Sequence, residues 1–318
     1  MAPKHDDLLT GAEDQGKRLD IFLAGKLPSI SRERAKSLIT GGRVWVGGTI
    51  LQKPDYRVKA HEQIRVDQPE ETPAAVPQPE TIRLPILFED KHLMIVNKPA
   101  GVATHPTPSA LHNTVLNGLL SMNKTLSDMG DPLRRGIVHR LDKQTCGLLI
   151  IAKTNEAHLN LLQMFKQRTI HKTYIAVTYN AFTEQAGLID TVIARHPVDR
   201  KRMTTKTTRG RQALTSFRVL KTVNKATVVE LFPKTGRTHQ LRTQLSDMGY
   251  PIVNDTLYSR MKPVFRDLKL QKMVLLLDGI ALFAYAIGFL HPVLGTPLSF
   301  TAPFPPWLHE VLSEHELS

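Results

Sequence analysis

The stretch Gly136–Thr154 reads Gly-Ile-Val-His-Arg-Leu-Asp-Lys-Gln-Thr-Cys-Gly-Leu-Leu-Ile-Ile-Ala-Lys-Thr, and it constrains the fold more than any other segment. Leu148 to Ala152 is an unbroken apolar run, which predicts a strand buried on both faces. Ahead of it, His139, Arg140, Asp142, Lys143, Gln144 and Thr145 crowd around Leu141. A charged loop that feeds directly into a buried strand puts its carboxylate at the rim of a rigid core. A reactive group needs that place, because it must be both fixed and reachable. Taken alone, such a loop is more often a solvated turn whose Asp142 pairs with Arg140 or Lys143.

Charge narrows the classes of partner. The 318 residues carry 42 Lys and Arg against 29 Asp and Glu, a net charge of +13. Such a balance favours a polyanion, since each neutralised phosphate releases counterions. The length suits two domains. A lone cysteine, Cys146, excludes an intramolecular disulfide and a cysteine-based zinc site and fits a reducing, cytoplasmic setting. Met1 to Gln15 holds no apolar signal segment, and its four acidic residues argue against a mitochondrial presequence. Met273 to Leu290 is the most apolar region, but it is short and contains Asp278, so it reads as a buried strand pair rather than a membrane helix.

In chain order, residues 1–15 read as a disordered tail. Residues 16–67 predict a small basic unit: a helix from Arg18, then a second capped by Ser31 and ended by Gly41-Gly42. A glycine-turn hairpin over Val44 to Leu51 and a last strand over Val58 to Val66 complete it. Residues 68–82, rich in Pro and Glu, read as an extended linker, and 83–318 as the second domain. There, Thr154 or Asn155 caps a helix that ends near Arg168. His171 to Val177 follows as a strand, with Lys172, Tyr174 and Ala176 on one face. Arg195 to Arg211 is densely basic and predicts phosphate contacts from Arg200, Lys201, Arg202 and Lys206. Ala213 to Leu220 and Thr227 to Phe232 predict an antiparallel pair. Gly236 marks a turn into a helix that carries Leu241, Leu245 and Met248 inward. Arg242 borders that apolar face, and a partly buried guanidinium must find a carboxylate or phosphate.

Three motifs together resemble the RluA-type RNA pseudouridine synthases: His139-Arg140-Leu141-Asp142-Lys143 to Gly147-Leu148-Leu149; Lys172-Thr173-Tyr174-Ile175-Ala176; and Thr235-Gly236-Arg237-Thr238-His239-Gln240-Leu241-Arg242 followed by Gly249-Tyr250-Pro251 and Asp255. The Asn97-Lys98-Pro99-Ala100-Gly101 turn agrees. Ser31 to Lys36 and Gly42 to Gly48 resemble the S-four-like RNA-binding fold of ribosomal proteins, with Arg32, Arg34, Lys36 and Arg43 as its RNA contacts. The resemblance implies an α+β catalytic core on a mixed, mainly antiparallel sheet. It implies that Asp142 is the catalytic residue, that Tyr174 lies in the uridine pocket, and that Arg242 pairs with Asp142. His139, Arg140, Arg237 and His239 are then substrate contacts, and Leu245 the apolar contact beneath the base. The reaction would be isomerisation of uridine to pseudouridine in structured RNA by base flipping, with no cofactor and no metal. Large-subunit ribosomal RNA is the expected substrate and a monomer the expected state. Rival readings are a transfer-RNA synthase, a catalytically silent ribosome-assembly factor, and a metal-dependent nuclease built on His139 and Asp142. Four details depart from the family pattern: Cys146 where Ser or Thr is commoner, Thr243-Gln244 after Arg242, and Asn254 and Ser259 where glycines are usual.

Overall fold

The computed structural model describes residues 4–28, 30–68, 76–107 and 110–313. Two units divide between Ala75 and Val76. The first holds α1 (Leu19–Lys26) and α2 (Arg32–Thr40) beside strands β1 (Lys4–Leu9), β2 (Val44–Val46), β3 (Thr49–Ile50) and β4 (Gln63–Gln68), in sheet order β1-β4-β2-β3. Ser31 starts α2 by accepting the Arg34 N–H at 3.2 Å. Gly47 and Gly48, at φ +57° and +81°, supply the two left-handed residues that a tight hairpin between β2 and β3 demands. Leu19, Phe22, Leu23, Leu38, Ile39, Val44, Ile64 and Val66 close the core.

The disorder expected for residues 1–15 does not hold over the described part. Residues 4–9 form an edge strand antiparallel to β4, and Ala12–Asp14 form one turn of 3-10 helix. The acidic side chains that suggested disorder find partners on the basic unit. Asp7 meets Arg65 at 2.8 Å, Asp6 accepts from Gln68, and buried Asp14 meets Lys17 at 2.8 Å. Of the expected linker, 69–75 lies outside the described residues. Its later part is held on the second unit, where Asn117 Nδ2 donates to the Gln78 carbonyl at 2.7 Å and Glu80 meets His112 at 2.6 Å.

The second unit is built on one ten-stranded sheet. Its strands are β5 (Ile86–Glu89), β6 (Leu93–Lys98), β7 (Cys146–Ala152), β8 (His171–Tyr179), β9 (Ala186–Arg195), β10 (Met203–Thr204), β11 (Arg211–Val223), β12 (Ala226–Pro233), β13 (Leu282–Leu290) and β14 (Pro297–Thr301). The order is β10-β9-β11-β12-β8-β13-β7-β6-β5, with β14 on the far part of β13. Among the described strands of this sheet every pairing is antiparallel except β13 with β7. Helices α3 (Val115–Ser121), α4 (Asn155–Gln167), α5 (Gln240–Asp247), α6 (Leu268–Leu275) and α7 (Pro306–His309) cover it.

Strand β7 is buried on both faces, as its apolar run predicts. Leu149 and Ile151 join a cluster with Val115, Leu116 and Leu119 of α3, while Leu148 and Ile150 join the main core with Leu161 of α4. At about 1.5–3 kcal/mol for each fully buried side chain, this strand is a rigid base for the loop that precedes it. Two expectations fail. Residues 273–290 are not a strand pair: α6 ends at Leu275, and only β13 is a strand, because the first part presents Leu270 and Met273 inward at helical spacing. Met248 caps α5 and is exposed. Among the described residues no helix is long and apolar enough to cross a membrane.

Gly147 sits at φ +115°, where a Cβ would lie 2.3 Å from the Ala284 carbonyl oxygen. The parallel β7–β13 contact therefore requires glycine at this point. Gly147→Ala is expected to destabilise the second unit by at least about 2 kcal/mol, seen as a clear fall in its thermal unfolding midpoint. An unchanged midpoint would refute this packing.

Candidate active site

The charged loop before β7 is pinned residue by residue. His139 Nε2 accepts the Ile150 N–H at 2.8 Å, and its ring stacks on Phe165 at 4.7 Å. Thr104 Oγ1 donates to the Leu141 carbonyl at 2.9 Å and accepts the Leu141 N–H at 3.1 Å. The Lys143 carbonyl receives the Gly101 N–H at 2.9 Å and the ammonium of Lys98 at 3.3 Å. Lys98 is fully buried and also donates to the carbonyls of Pro99 and Val102 at 2.7 and 2.8 Å. Burial pulls its pKa down to about 8, against the opposing pull of Cys146 and Asp142. Asp142 is thus bracketed by fixed neighbours at 139, 141 and 143.

Its side chain faces α5. Arg242, 7 % exposed, donates through Nη1 to Asp142 Oδ2 at 3.1 Å. The other edge of the same guanidinium makes a two-bond fork with Asp255, Nε to Oδ2 at 2.7 Å and Nη2 to Oδ1 at 2.9 Å. Burial alone would lower the Arg242 pKa, but Asp255 and then Asp142 outweigh it and raise it. One cation therefore satisfies two carboxylates, only one of which faces the cleft. Asp255, 1 % exposed, is the partner that the sequence reading did not assign. The signal was present, because a buried fork-shaped guanidinium needs more than one acceptor.

Around Asp142 opens a cleft of about 570 Å³. Tyr174 and Lys172 enter it from β8, Phe165 and Arg168 from the end of α4, and Lys234 to Leu241 from the turn into α5. Among the described residues seven basic side chains line it, Arg140, Lys166, Arg168, Lys172, Lys234, Arg237 and Arg242, against the single carboxylate of Asp142, an arrangement that favours a polyanion. Burial, followed by the charge of Asp142, raises the Tyr174 pKa and keeps its phenol protonated. Burial lowers the Lys172 pKa.

Asp142, Tyr174, Arg242, Arg140, Arg237 and His239 all meet in this one cleft. Two assignments are corrected. Leu245 is fully buried in the core and does not line the cleft; Leu241, one helical turn earlier, is the leucine that does. His139 lines the cleft but is not a phosphate-binding cation. Burial, and then the charge of Lys172, lowers its pKa to about 3, and the Ile150 N–H occupies its Nε2 lone pair. The same bond removes that lone pair from any metal shared with Asp142. Of the basic stretch, Arg200, Lys201 and Lys206 are exposed, whereas Arg202 lies half-buried over the Tyr258 ring at 5.4 Å. On the first unit, Arg34 and Lys36 are exposed, while Arg32 meets Asp20 at 3.2 Å and Arg43 meets Asp67 at 2.7 Å.

The departures from the family pattern have local causes. Asn254 takes φ +64° where glycine is usual, and its Nδ2 donates to the Gly279 carbonyl at 2.7 Å. Gln244 is buried and donates to Thr191 Oγ1 and the Ala213 carbonyl, each at 3.0 Å, tying α5 to the sheet. Burial pushes the Cys146 thiol up to about 11, so it stays protonated.

Known proteins share this plan. The family model for RNA pseudouridylate synthase matches residues 92–247, and the S4 domain model matches residues 17–64. A protein of Aquifex aeolicus named an uncharacterized RNA pseudouridine synthase is 39% identical over 95% of this chain and 94% of its own length. The chain belongs to the RNA pseudouridine synthase family. A relative from Zymomonas mobilis named ribosomal large subunit pseudouridine synthase D is 38% identical, covering 91% of each chain. Among solved structures, human RNA pseudouridylate synthase domain containing 4 superposes with a TM-score of 0.55 at 26% identity, over 73% of this chain and 92% of that one. The α+β fold on a mainly antiparallel sheet is therefore that of a pseudouridine synthase with an N-terminal S4 domain.

Two outcomes test the site's electrostatics. Asp255→Asn leaves Arg242 with half of its buried charge compensation and is expected to cost about 3 kcal/mol of stability, read by thermal unfolding. The second concerns His139. Its imidazole titrates near 6.5 when unfolded and near 3 when folded. Between those values the unfolded chain binds the extra proton, so stability is fully present above pH 6.5 and falls as the pH drops towards 3. The slope from this group approaches about 1.4 kcal/mol per pH unit. His139→Gln should flatten the decline between pH 6.5 and 5; an unaltered slope would show that His139 is not held neutral.

Proposed function

We propose that the chain isomerises specific uridines of large-subunit ribosomal RNA to pseudouridine, with Asp142 as the catalytic carboxylate. The observation that carries this is the lone cleft carboxylate, fixed by Arg242 and surrounded by cations. In the reaction the N1–C1′ bond of uridine breaks, the uracil turns, C5 bonds to C1′, the C5 proton leaves and N1 gains one. Atoms and charge balance without an oxidant or reductant. Asp142 acts on the sugar, as nucleophile at C1′ or as base, and the hydrogen bond from Arg242 directs it. Tyr174, kept protonated, covers the extruded base by stacking and is a proton donor or acceptor within reach.

A base inside a duplex or stack has to be flipped out before Asp142 reaches it, at a cost of a few kcal/mol. Arg140, exposed at the mouth of the cleft, fills the vacated space, while Arg168, Lys172 and Arg237 hold flanking phosphates. The S4 module, through Arg34 and Lys36, and the stretch Arg200 to Lys206 add contacts that position the RNA without reading its sequence. The ribosomal assignment rests on relatives that match over 91% of this chain and whose names state that target. A division of labour between a binding module, residues 16–67, and a catalytic domain, residues 83–318, follows from the same reading.

The test is tritium release from [5-³H]uridine-labelled ribosomal RNA by wild type and Asp142→Asn, both in chelator. Release by the wild type and background from the variant, with RNA affinity kept, is the expected result. Release by Asp142→Asn at the wild-type rate would overturn the role of Asp142. No release by the wild type from ribosomal RNA, with release from transfer RNA, would move the substrate.

A further inference from the structure

Tyr258 stands between the basic stretch and the catalytic ion pair. Its ring is buried, with the Arg202 guanidinium 5.4 Å from the centroid and that of Arg242 5.0 Å from it. Its hydroxyl accepts the Met203 N–H at 2.7 Å and lies 2.9 Å from His239 Nδ1. The basic stretch is docked here as a strap. Met203–Thr204 pair with β9, and Thr205 donates twice to Asp247 at the end of α5, at 3.0 Å from the amide and 2.6 Å from the hydroxyl. On its far side, His239 presents Nε2 to Asp142 Oδ2 at 3.9 Å. His239 is itself held in the left-handed region, φ +53°, as the N-cap of α5.

A hydroxyl that already accepts from an amide has its own proton to give. Donated to His239 Nδ1, that proton makes Nδ1 the acceptor and leaves the imidazole proton on Nε2. We propose that Tyr258 is a positioning residue for the isomerisation: it docks the basic strap through Met203 and Arg202, and fixes His239 as the Nε2–H tautomer aimed at Asp142. The kinetic part of this inference rests on the reading of Asp142 given above; the tautomer does not.

Tyr258→Phe keeps the ring between the two guanidiniums and removes only the hydroxyl. In single-turnover tritium release at saturating RNA, the rate is expected to fall about tenfold to a hundredfold, the scale of a misdirected reacting group, while RNA affinity stays within about twofold. Because the residue acts through His239, the loss should vanish when Tyr258→Phe is added to His239→Gln. A wild-type rate for Tyr258→Phe, a loss confined to RNA affinity, or additive losses in the double variant would each overturn the proposal. The ¹⁵N shifts of His239 in the RNA-free protein form the second arm. The expected result is the Nε2–H tautomer in the wild type and a mixture in Tyr258→Phe. An Nδ1–H tautomer in the wild type, or identical shifts in both proteins, would refute it. If the wild type released no tritium, the substrate reading would fail while the tautomer measurement still decided this one.

Discussion

A single guanidinium, Arg242, shared between Asp142 and Asp255, is the interaction on which the site depends. A lone buried cation would cost several kcal/mol. A fully paired one would have no reason to hold a second acid at the surface of a cleft. Arg242 resolves this by giving its two-bond edge to the buried Asp255 and its remaining edge to Asp142. The buried pair carries the structural role and leaves Asp142 directed but reachable.

The rest of the second unit serves to bring these groups together. Asp142 lies on a loop immobilised from below by a strand buried on both faces and from the sides by Thr104, Lys98 and the Ile150 amide. Arg242 comes 100 residues later, from a helix tied to the sheet through Gln244 and through Gln240, whose Nε2 donates to Thr215 Oγ1 at 2.9 Å. Tyr174 arrives on β8. The proposed constellation is rigid because each member grows from an element with its own core contacts, and a site of this kind needs preorganisation more than it needs many residues.

Electrostatics divides the molecule in the same way. Inside, histidines and the cysteine are pushed towards their neutral forms by burial, so His139 works as a hydrogen-bond acceptor and ring stack rather than as a cation. Around the cleft basic side chains outnumber the acids among the described residues, which suits a ligand whose backbone is negative throughout. The same principle accounts for the leading segment: its acidic residues, placed next to a basic sheet, gain partners that disorder would deny them.

The sequence by itself determined the elements with strong local signals. Leu148 to Ala152 reads as a buried strand, Ser31 and Thr154 or Asn155 as helix starts, Gly47-Gly48 as a hairpin turn, and the three spaced motifs point, through the family they resemble, to Asp142, Tyr174 and Arg242. Tertiary structure decided everything that depends on a partner far along the chain. The Ile150 amide on His139, Asp255 beneath Arg242, and Tyr258 between strap and site are relations across 11 to 55 residues, and Leu241 rather than Leu245 lines the cleft. No local periodicity encodes them. A hydrophobic repeat says that one helix face is buried, but which leucine of that face lines the cleft is set by how the helix packs on the sheet. An acidic run says that charge is present, but only the fold says whether water or an arginine meets it.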